Sequence, residues 1–217
     1  MRACFSPALA ALLATLPVPV IADDNADIAA ARKFAEPVMG GECDFVTQED
    51  GTPGGYNNIY RFTYRSKGQD QDSPDHRRML VQLACSSGAY NFNSIYLLRD
   101  DDESTWQLLS FAEPVADFDY ADENFSRLKA PPKVTGYIAV TQMSNSDYDE
   151  DGKTITAGAK WRGLGDAWSS GEWRFEDGIF VLKRYEMDPT YEPPEDEPRD
   201  PDTPESYVLF DTTAPDR

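Results

Sequence analysis

The sequence predicts a mainly β protein, an antiparallel sandwich or open barrel of about eight strands with one short N-terminal helix. From residue 56 onward, apolar and polar residues alternate with a period of two, which is typical of half-buried strands. Turn sequences separate these stretches about every 8 to 12 residues, so the strands follow one another as hairpins rather than as βαβ units. The pattern is compatible with both a sandwich and a barrel.

The helix is predicted over residues 24–35, with Asp23, Asp24 or Asn25 as N-cap and an end near Pro37. In the strand over residues 60–65 the aromatic side chains share one face, which should point into the core, and residues 79–86 repeat the alternation. The acidic run 100–103 is predicted to be a hairpin loop, and Asp177-Gly178 a tight hairpin turn. The predicted strands cover residues 60–65, 79–86, 90–99, 105–111, 136–143, 154–162, 171–176 and 179–185.

The first 22 residues have the pattern of a signal peptide. Arg2 supplies a positive charge, residues 8–16 form an apolar run, and Val20-Ile21-Ala22 is a small-residue cleavage pattern. The apolar run is shorter than the ~20 residues needed to span a bilayer. We therefore expect the mature protein in the periplasm or secreted, with no stable membrane anchor after cleavage.

The chain is strongly acidic, with a formal net charge of −19 that becomes −20 if Arg2 leaves with the predicted signal peptide. Such a field repels phosphate backbones and anionic lipid headgroups, and it attracts cationic partners. Nucleic acid and direct membrane binding are therefore disfavoured. The expected partner is a protein or a glycan, and a cationic protein is one alternative; the simpler interpretation is that the charge maintains solubility.

Cys43 and Cys85 are the cysteines that remain after the predicted cleavage. Because disulfides form in the oxidising compartments that exported proteins reach, we expect these two residues to be bonded to each other. A zinc site is disfavoured, since the single histidine, His76, lies in a polar run and two thiols alone do not bind zinc. No cofactor is expected.

Residues 23–188 are predicted to form a single antiparallel β domain. From residue 189 to 217 the chain becomes an acidic, proline-rich C-terminal tail that lacks the apolar content to fold alone. Within this tail, residues 207–210 are apolar enough to dock as an added edge strand, which we favour, or to contact a partner.

The acidic segment from Asp147 to Gly152 matches the first half of a calcium-binding loop, with Asp147, Asp149 and Asp151 at alternate positions. The second half does not match, because Gly158 stands where a bidentate glutamate belongs. Weak calcium binding by the three carboxylates is one hypothesis. A solvated hairpin loop is the favoured interpretation.

Two segments carry a resemblance to a known family. The first is Cys85-Ser86-Ser87-Gly88-Ala89-Tyr90-Asn91; the second is Lys160-Trp161-Arg162-Gly163-Leu164-Gly165-Asp166, followed by a Trp173 to Phe180 hairpin. Their order and spacing over residues 56–187 resemble an uncharacterised family of exported Gram-negative envelope proteins with Cys-x-x-Gly-Ala-Tyr-Asn and Arg-Gly-x-Gly-Asp motifs. The resemblance implies an envelope location and the fold, and it supplies no activity.

The second segment also has two interpretations of its own. Arg162, Gly163, Gly165 and Asp166 are predicted to form a tight turn in which both glycines take positive φ and Arg162 pairs with Asp166. The alternative is an anion-binding loop, but the segment lacks the Lys-Ser/Thr of a phosphate loop and no helical pattern follows it.

No catalytic constellation stands out, since one histidine in a polar loop leaves no nucleophile and base with an evident arrangement. The leading hypothesis is a non-enzymatic binding or structural protein of the cell envelope. One alternative is an inhibitor of a basic enzyme such as lysozyme, because residues 87–90 loosely resemble an inhibitor loop; the simpler interpretation is a β-turn with Tyr90 in the core. A third is carbohydrate binding through exposed Trp161, Trp168 and Trp173.

Overall fold

The computed structural model of the protein describes residues 23–47, 56–101, 103–192 and 204–213. The predicted signal peptide, residues 1–22, lies outside the described residues. The chain begins with helix α1 (Asp24–Met39) and continues in strands. These are β1 (Asn58–Tyr64), β2 (His76–Ser87), β3 (Phe92–Asp100), β4 (Gln107–Leu108), β5 (Phe111–Asp117), β6 (Lys133–Val140), β7 (Gln142–Ser144), β8 (Asp147–Asp149), β9 (Thr154–Lys160), β10 (Trp168–Glu176), β11 (Ile179–Asp188) and β12 (Tyr207–Asp211).

The strands form two five-stranded sheets and one separate hairpin, and every pairing is antiparallel. The first sheet has the order β1-β2-β3-β4, with β7 also paired to β3; the second has the order β12-β11-β10-β9-β8; β5 and β6 pair with each other. The mainly antiparallel fold is therefore confirmed, and of the two predicted architectures it is the sandwich.

The main core lies between the two sheets. Leu80, Tyr96 and Leu98 from the first sheet meet Ile155 and other apolar residues of the second. The predicted inward face of the first strand is confirmed, since its aromatic side chains pack against this core. Each large side chain buried here contributes about 1.5–3 kcal/mol from the area it removes from water. Further members of this core are Phe111, Trp173, Phe175, Leu182, Tyr185 and Met187.

A second core lies on the opposite face of the first sheet, where α1 covers it. Ala31, Ala35 and Met39 of the helix pack with Met79 and Val81 of β2. Strand β2 is consequently buried on both faces from Met79 to Cys85; the strand predicted over residues 79–86 is present, but the prediction that one of its faces is solvated is wrong. The reason is the helix: a covered sheet needs apolar residues at consecutive positions rather than alternate ones.

Helix α1 starts at the predicted cap, because the Asp23 carboxylate accepts hydrogen bonds from the backbone N–H groups of Asn25 and Ala26 at 3.1 and 3.4 Å. It ends two residues beyond Pro37, close to the predicted end. The helix continues to Met39, and Gly40 N–H donates to the Glu36 carbonyl at 2.8 Å. Pro37 has no N–H to donate to the carbonyl of the preceding turn, and the helix continues for only two residues beyond it.

The predicted disulfide between Cys43 and Cys85 is present, with a Cα–Cα distance of 4.2 Å. It fixes the segment after α1 to the end of β2, and the Phe45 N–H donates to the Cys85 carbonyl at 3.0 Å. The bond therefore ties the helix to the first sheet at the edge of the second core.

The apolar segment of the C-terminal tail docks as an edge strand, as favoured from the sequence. In β12 Phe210 lies opposite Tyr185 of β11, and Arg184 pairs with Asp211 at 2.8 Å.

The turn that joins β10 to β11 is the predicted tight turn, since Asp177 and Gly178 have φ values of 52° and 98°. Within the described residues, no helix is long and apolar enough to span a bilayer.

Candidate functional site

The structure brings together the two segments that carried the family resemblance. Tyr90 lies in the turn between β2 and β3, and Gly163 lies in the turn between β9 and β10. A Cβ atom on Gly163 would stand 2.7 Å from a ring carbon of Tyr90, so the phenol ring lies directly against the glycine backbone. Tyr90 is 52% exposed, and the expectation that it belongs to the core is wrong. The exposed Gly88 and Ala89 complete this turn, in which Gly88 N–H donates to the Asn91 carbonyl at 2.8 Å.

Asn91 holds the two turns together. Its side-chain NH2 donates to the Lys160 carbonyl at 2.8 Å, and its Oδ1 accepts from the Lys160 N–H at 2.9 Å. These two bonds imitate the paired bonds of a β-ladder. Asn145 adds a second clamp: its Nδ2 donates to Asn91 Oδ1 at 2.9 Å and to the Gly158 carbonyl at 2.8 Å.

Arg162 and Asp166 form the predicted ion pair across the second turn. Arg162 Nε donates to Asp166 Oδ1 at 2.8 Å, and a terminal guanidinium nitrogen also contacts Oδ2. The Asp166 side chain is only 5% exposed, and its Oδ2 also accepts from the Glu192 N–H at 2.8 Å. The hydrogen bond from Arg162 is the main reason why the pKa of Asp166 lies well below its ordinary value; burial opposes it.

The two glycines of this turn have different roles. Gly165 has a φ of +72°, as predicted, and this region favours glycine. The positive φ predicted for Gly163 is wrong, because only Gly165 in this turn is in the left-handed region. Gly163 is needed for space instead, since any side chain there would collide with the Tyr90 ring.

The tight-turn interpretation of this segment is favoured over the anion-binding loop. Two nitrogens of the Arg162 guanidinium contact Asp166, and its carbon lies 4.1 Å from the centre of the Tyr191 ring, an arrangement typical of a cation–π contact. Tyr191 is itself held by a hydrogen bond from its N–H to the Phe125 carbonyl at 2.9 Å. The positive charge is therefore already matched within the protein.

Beside the joined turns is an open groove of about 590 Å³, which we call the motif groove. Its walls offer two aromatic rings, an amide, a hydroxyl and one charge of each sign. Such a mixture can bind a ligand through stacking and hydrogen bonds. The residues that carry these groups are Tyr90, Asn145, Lys160, Trp168, Ser170 and Glu186.

The segment with Asp147, Asp149 and Asp151 is a hairpin between β8 and β9. Asp149 Oδ2 accepts a hydrogen bond from the Gly152 N–H at 2.7 Å, so this carboxylate closes the turn. In the described parts of the chain, no group of three or more acidic, histidine or cysteine side chains is arranged to hold a metal ion. The three carboxylates are exposed, and the segment forms the solvated hairpin that the sequence favoured.

The three tryptophans do not form one exposed platform, and that prediction is wrong. Trp173 is 1% exposed and its indole N–H donates to the Ala112 carbonyl at 2.9 Å, so it belongs to the core. Trp168 is half-buried and lines the motif groove. Trp161 is 37% exposed and packs near Phe118, with ring centres 6.1 Å apart.

Sequence patterns missed several residues of this site. Asn145 was not identified, although its φ of 46° is in a region where asparagine is enriched, and the Ser-Asn-Ser sequence around it is typical of a turn. Tyr191 was assigned to the acidic tail, and only the three-dimensional contact with Arg162 shows its role. No local signal in the sequence could have revealed that contact.

These observations define a disulfide-linked antiparallel β-sandwich protein with an open groove beside two interlocked turns. Residues 65–192 match a family described as "Protein of unknown function (DUF1176)". The match covers more than half of the chain, and the protein belongs to this family. It is also similar to "Uncharacterized protein YpfG" of Escherichia coli (strain K12), with 27% identity over 113 residues, which are 52% of this chain and 28% of that relative. The chain thus matches less than a third of the relative's length. No solved structure matches the chain.

Proposed function

We propose that this protein is an exported, non-enzymatic binding protein of the cell envelope that holds its ligand in the motif groove. The observation that carries the proposal is the contact between Tyr90 and Gly163. Two turns far apart in the sequence are joined there by close packing and by the Asn91 hydrogen bonds, yet Tyr90 keeps half of its surface exposed. A rigid support under an exposed aromatic ring is a feature of binding sites rather than of cores.

Export is supported by the signal-peptide pattern and by the buried disulfide. A non-enzymatic role is supported by the state of the charged groups at the site. Arg162 and Asp166 are paired with each other, and His76, whose ring stacks on Tyr64 with centres 4.9 Å apart, does not line the groove. Within the groove, the Glu186 carboxylate is paired with Arg184, so it is not a free base beside the serine hydroxyls.

The proposal is tested by site-specific photocrosslinking in the bacterial envelope. A photoreactive amino acid replaces Leu164, which is 78% exposed in the turn beneath Tyr90, and in a matched control it replaces Ile179, which is 61% exposed at the far hairpin. We expect a discrete adduct from position 164 that the control lacks and that Tyr90→Ala removes. Equal adducts from both positions, or none from position 164, would contradict a ligand in the motif groove.

Inhibition of a basic enzyme is a second candidate, which the exposure of residues 87–90 favours. An exposed turn with a tyrosine at its tip can enter a cationic cleft, and the acidic protein would steer the approach. Lysozyme activity at low salt, with and without the purified protein, tests it. Unchanged activity would leave only the binding role.

A further inference from the structure

A second cavity lies inside the sandwich, between the β5–β6 hairpin, β7 and the second sheet. Its volume is about 140 Å³, and it shares Gly158, Ala159, Ser169 and Ser170 with the motif groove, so the two adjoin. Several of its lining residues, including Gln142 and Ser144, are partly exposed, and solvent can reach it there. We call it the inner cleft.

The inner cleft contains one carboxyl group, that of Glu113 on β5, and no lysine or arginine lines it. Burial has the largest effect on Glu113 and raises its pKa, and among the described residues the one side chain that opposes this is Tyr185, through a hydrogen bond. In the described residues the carboxyl group has no basic partner. Because the Glu113 side chain is partly buried, water solvates its charge incompletely, and a cationic ligand would stabilise that charge.

The hydrogen bonds around Glu113 all run in one direction. The Trp161 indole N–H, which can only donate, reaches Ser169 Oγ at 3.3 Å. Ser169 bonds to Tyr185, and Tyr185 bonds to Glu113. Each hydroxyl that accepts from the previous group is free to donate to the next, so the chain ends with a donor directed at the carboxyl group. The hydrogen bond from Tyr185 partly offsets the effect of burial on the Glu113 carboxylate, and a bound cation would offset it further.

The remaining walls suit an organic cation rather than a metal ion. The aromatic rings of Trp173 and Tyr185 both line the inner cleft, with centres 6.4 Å apart in an edge-to-face arrangement. Aromatic faces attract ammonium groups, and quaternary ammonium ligands are recognised in this way. A metal ion would need further oxygen ligands with charge, and Glu113 is the single acid at the cleft. An anion is disfavoured because Glu113 would repel it and no lysine or arginine lines the cleft.

We propose that the inner cleft is a binding site for a small ammonium ligand, in which the Glu113 carboxylate pairs with the cation and the aromatic walls contact its methyl or methylene groups. The cleft is similar in size to an engineered cavity of about 150 Å³ that holds benzene, so a ligand of roughly six or seven heavy atoms fits. The strongly acidic protein raises the local concentration of such cations. This site is argued from the cleft alone and does not depend on the function proposed for the motif groove.

The test uses choline and its neutral isostere 3,3-dimethyl-1-butanol as probes on the mature chain, with binding followed by NMR up to about 50 mM, a range that covers the weak affinity of so small a ligand. We expect saturable shifts at Ser169 and Tyr185 with choline, and at least tenfold weaker binding of the neutral isostere. Glu113→Gln, which keeps the shape of the side chain, should weaken choline binding at least tenfold. Glu123→Gln, an identical change at an exposed position, should leave it unchanged.

The comparison of the two probes on the unaltered protein needs no variant, so it decides the matter even if Glu113→Gln fails to fold. Equal binding of the neutral isostere would overturn the proposal, as would the absence of saturable shifts with choline. Saturable binding of a neutral sugar such as N-acetylglucosamine in the cleft, without binding of choline, would also overturn it. None of these results affects the crosslinking test at Leu164, so the two proposals fail separately.

Discussion

Replacing Asp166 with alanine should destabilise the protein by about 3 kcal/mol. The carboxylate accepts a two-point contact from Arg162 and a 2.8 Å hydrogen bond from the Glu192 N–H. A hydrogen bond to a charged group contributes about 1.5–3 kcal/mol, and removing one partner of a fully buried pair costs about 3–5 kcal/mol. The Arg162 side chain is 34% exposed and can be partly hydrated after the change, which places the cost at the lower end of that range.

The assay is urea denaturation of the mature protein at several pH values, with the difference in unfolding free energy between wild type and variant as the readout. Because the pKa of Asp166 is lower in the folded state, its stabilisation is fully present above the unfolded pKa of about 4 and is lost as the pH falls toward the folded value. The difference should therefore be constant from about pH 7 to pH 5 and shrink below pH 4.

Asp119→Ala is the matched control, because Asp119 pairs with Lys129 at 2.9 Å while both side chains are more than half exposed. Exposed pairs contribute about 0–1 kcal/mol. The conclusion that the charged Asp166 carboxylate stabilises the turn would be refuted by either of two results. One is a loss of unfolding free energy no larger for Asp166→Ala than for Asp119→Ala; the other is a loss that does not change below pH 4.

Three further changes test other parts of the fold. Replacing both disulfide cysteines with serine should cost about 4 kcal/mol, since the bond closes a loop with a sequence separation of 42 residues, and thermal unfolding with and without reductant measures it. Phe210→Ala should cost about 2 kcal/mol by weakening the docking of β12, whereas Val208→Ala, at a 49% exposed position of the same strand, should change stability by less than about 0.5 kcal/mol; hydrogen exchange of the β11 amides distinguishes them. Gly163→Ala should cost about 1–2 kcal/mol, and in combination with Tyr90→Ala the cost should fall below the sum of the two single changes, as measured in a double-mutant cycle.

Local patterns predicted the longer strands because alternation and turn chemistry are properties of neighbouring residues. The hairpin at Asp177-Gly178 and the disulfide followed from such signals and are confirmed. The predicted strand over residues 105–111 instead divides into β4 and the start of β5, and Glu113 falls beyond it. Pro114 lies inside β5, and proline within a strand is a signal against that assignment, which explains why this strand and the partly buried Glu113 were not predicted.

The sequence allowed both motifs of the candidate site to be identified, but not the fact that they lie next to each other in the fold. Nothing in the sequence states that the turn at Tyr90 and the turn at Gly163 meet, because this contact depends on how β3, β7 and β9 are arranged in different sheets. The prediction for Gly163 was wrong for the same reason. When only the neighbouring residues are known, a glycine in a turn suggests a positive φ. Here glycine is required because the Tyr90 ring, from another segment, occupies the space of a side chain.

The contact between Tyr90 and Gly163 also links the two proposed sites. Lys160 N–H donates to Asn91, which fixes the end of β9, and Trp161, the next residue, begins the hydrogen-bond chain that leads through Ser169 and Tyr185 into the inner cleft. The groove and the cleft also share four lining residues, two on β9 and two on β10. The two proposed sites are therefore adjacent along these strands, and hydrogen bonds connect the turn at Trp161 with the partly buried Glu113 carboxyl group.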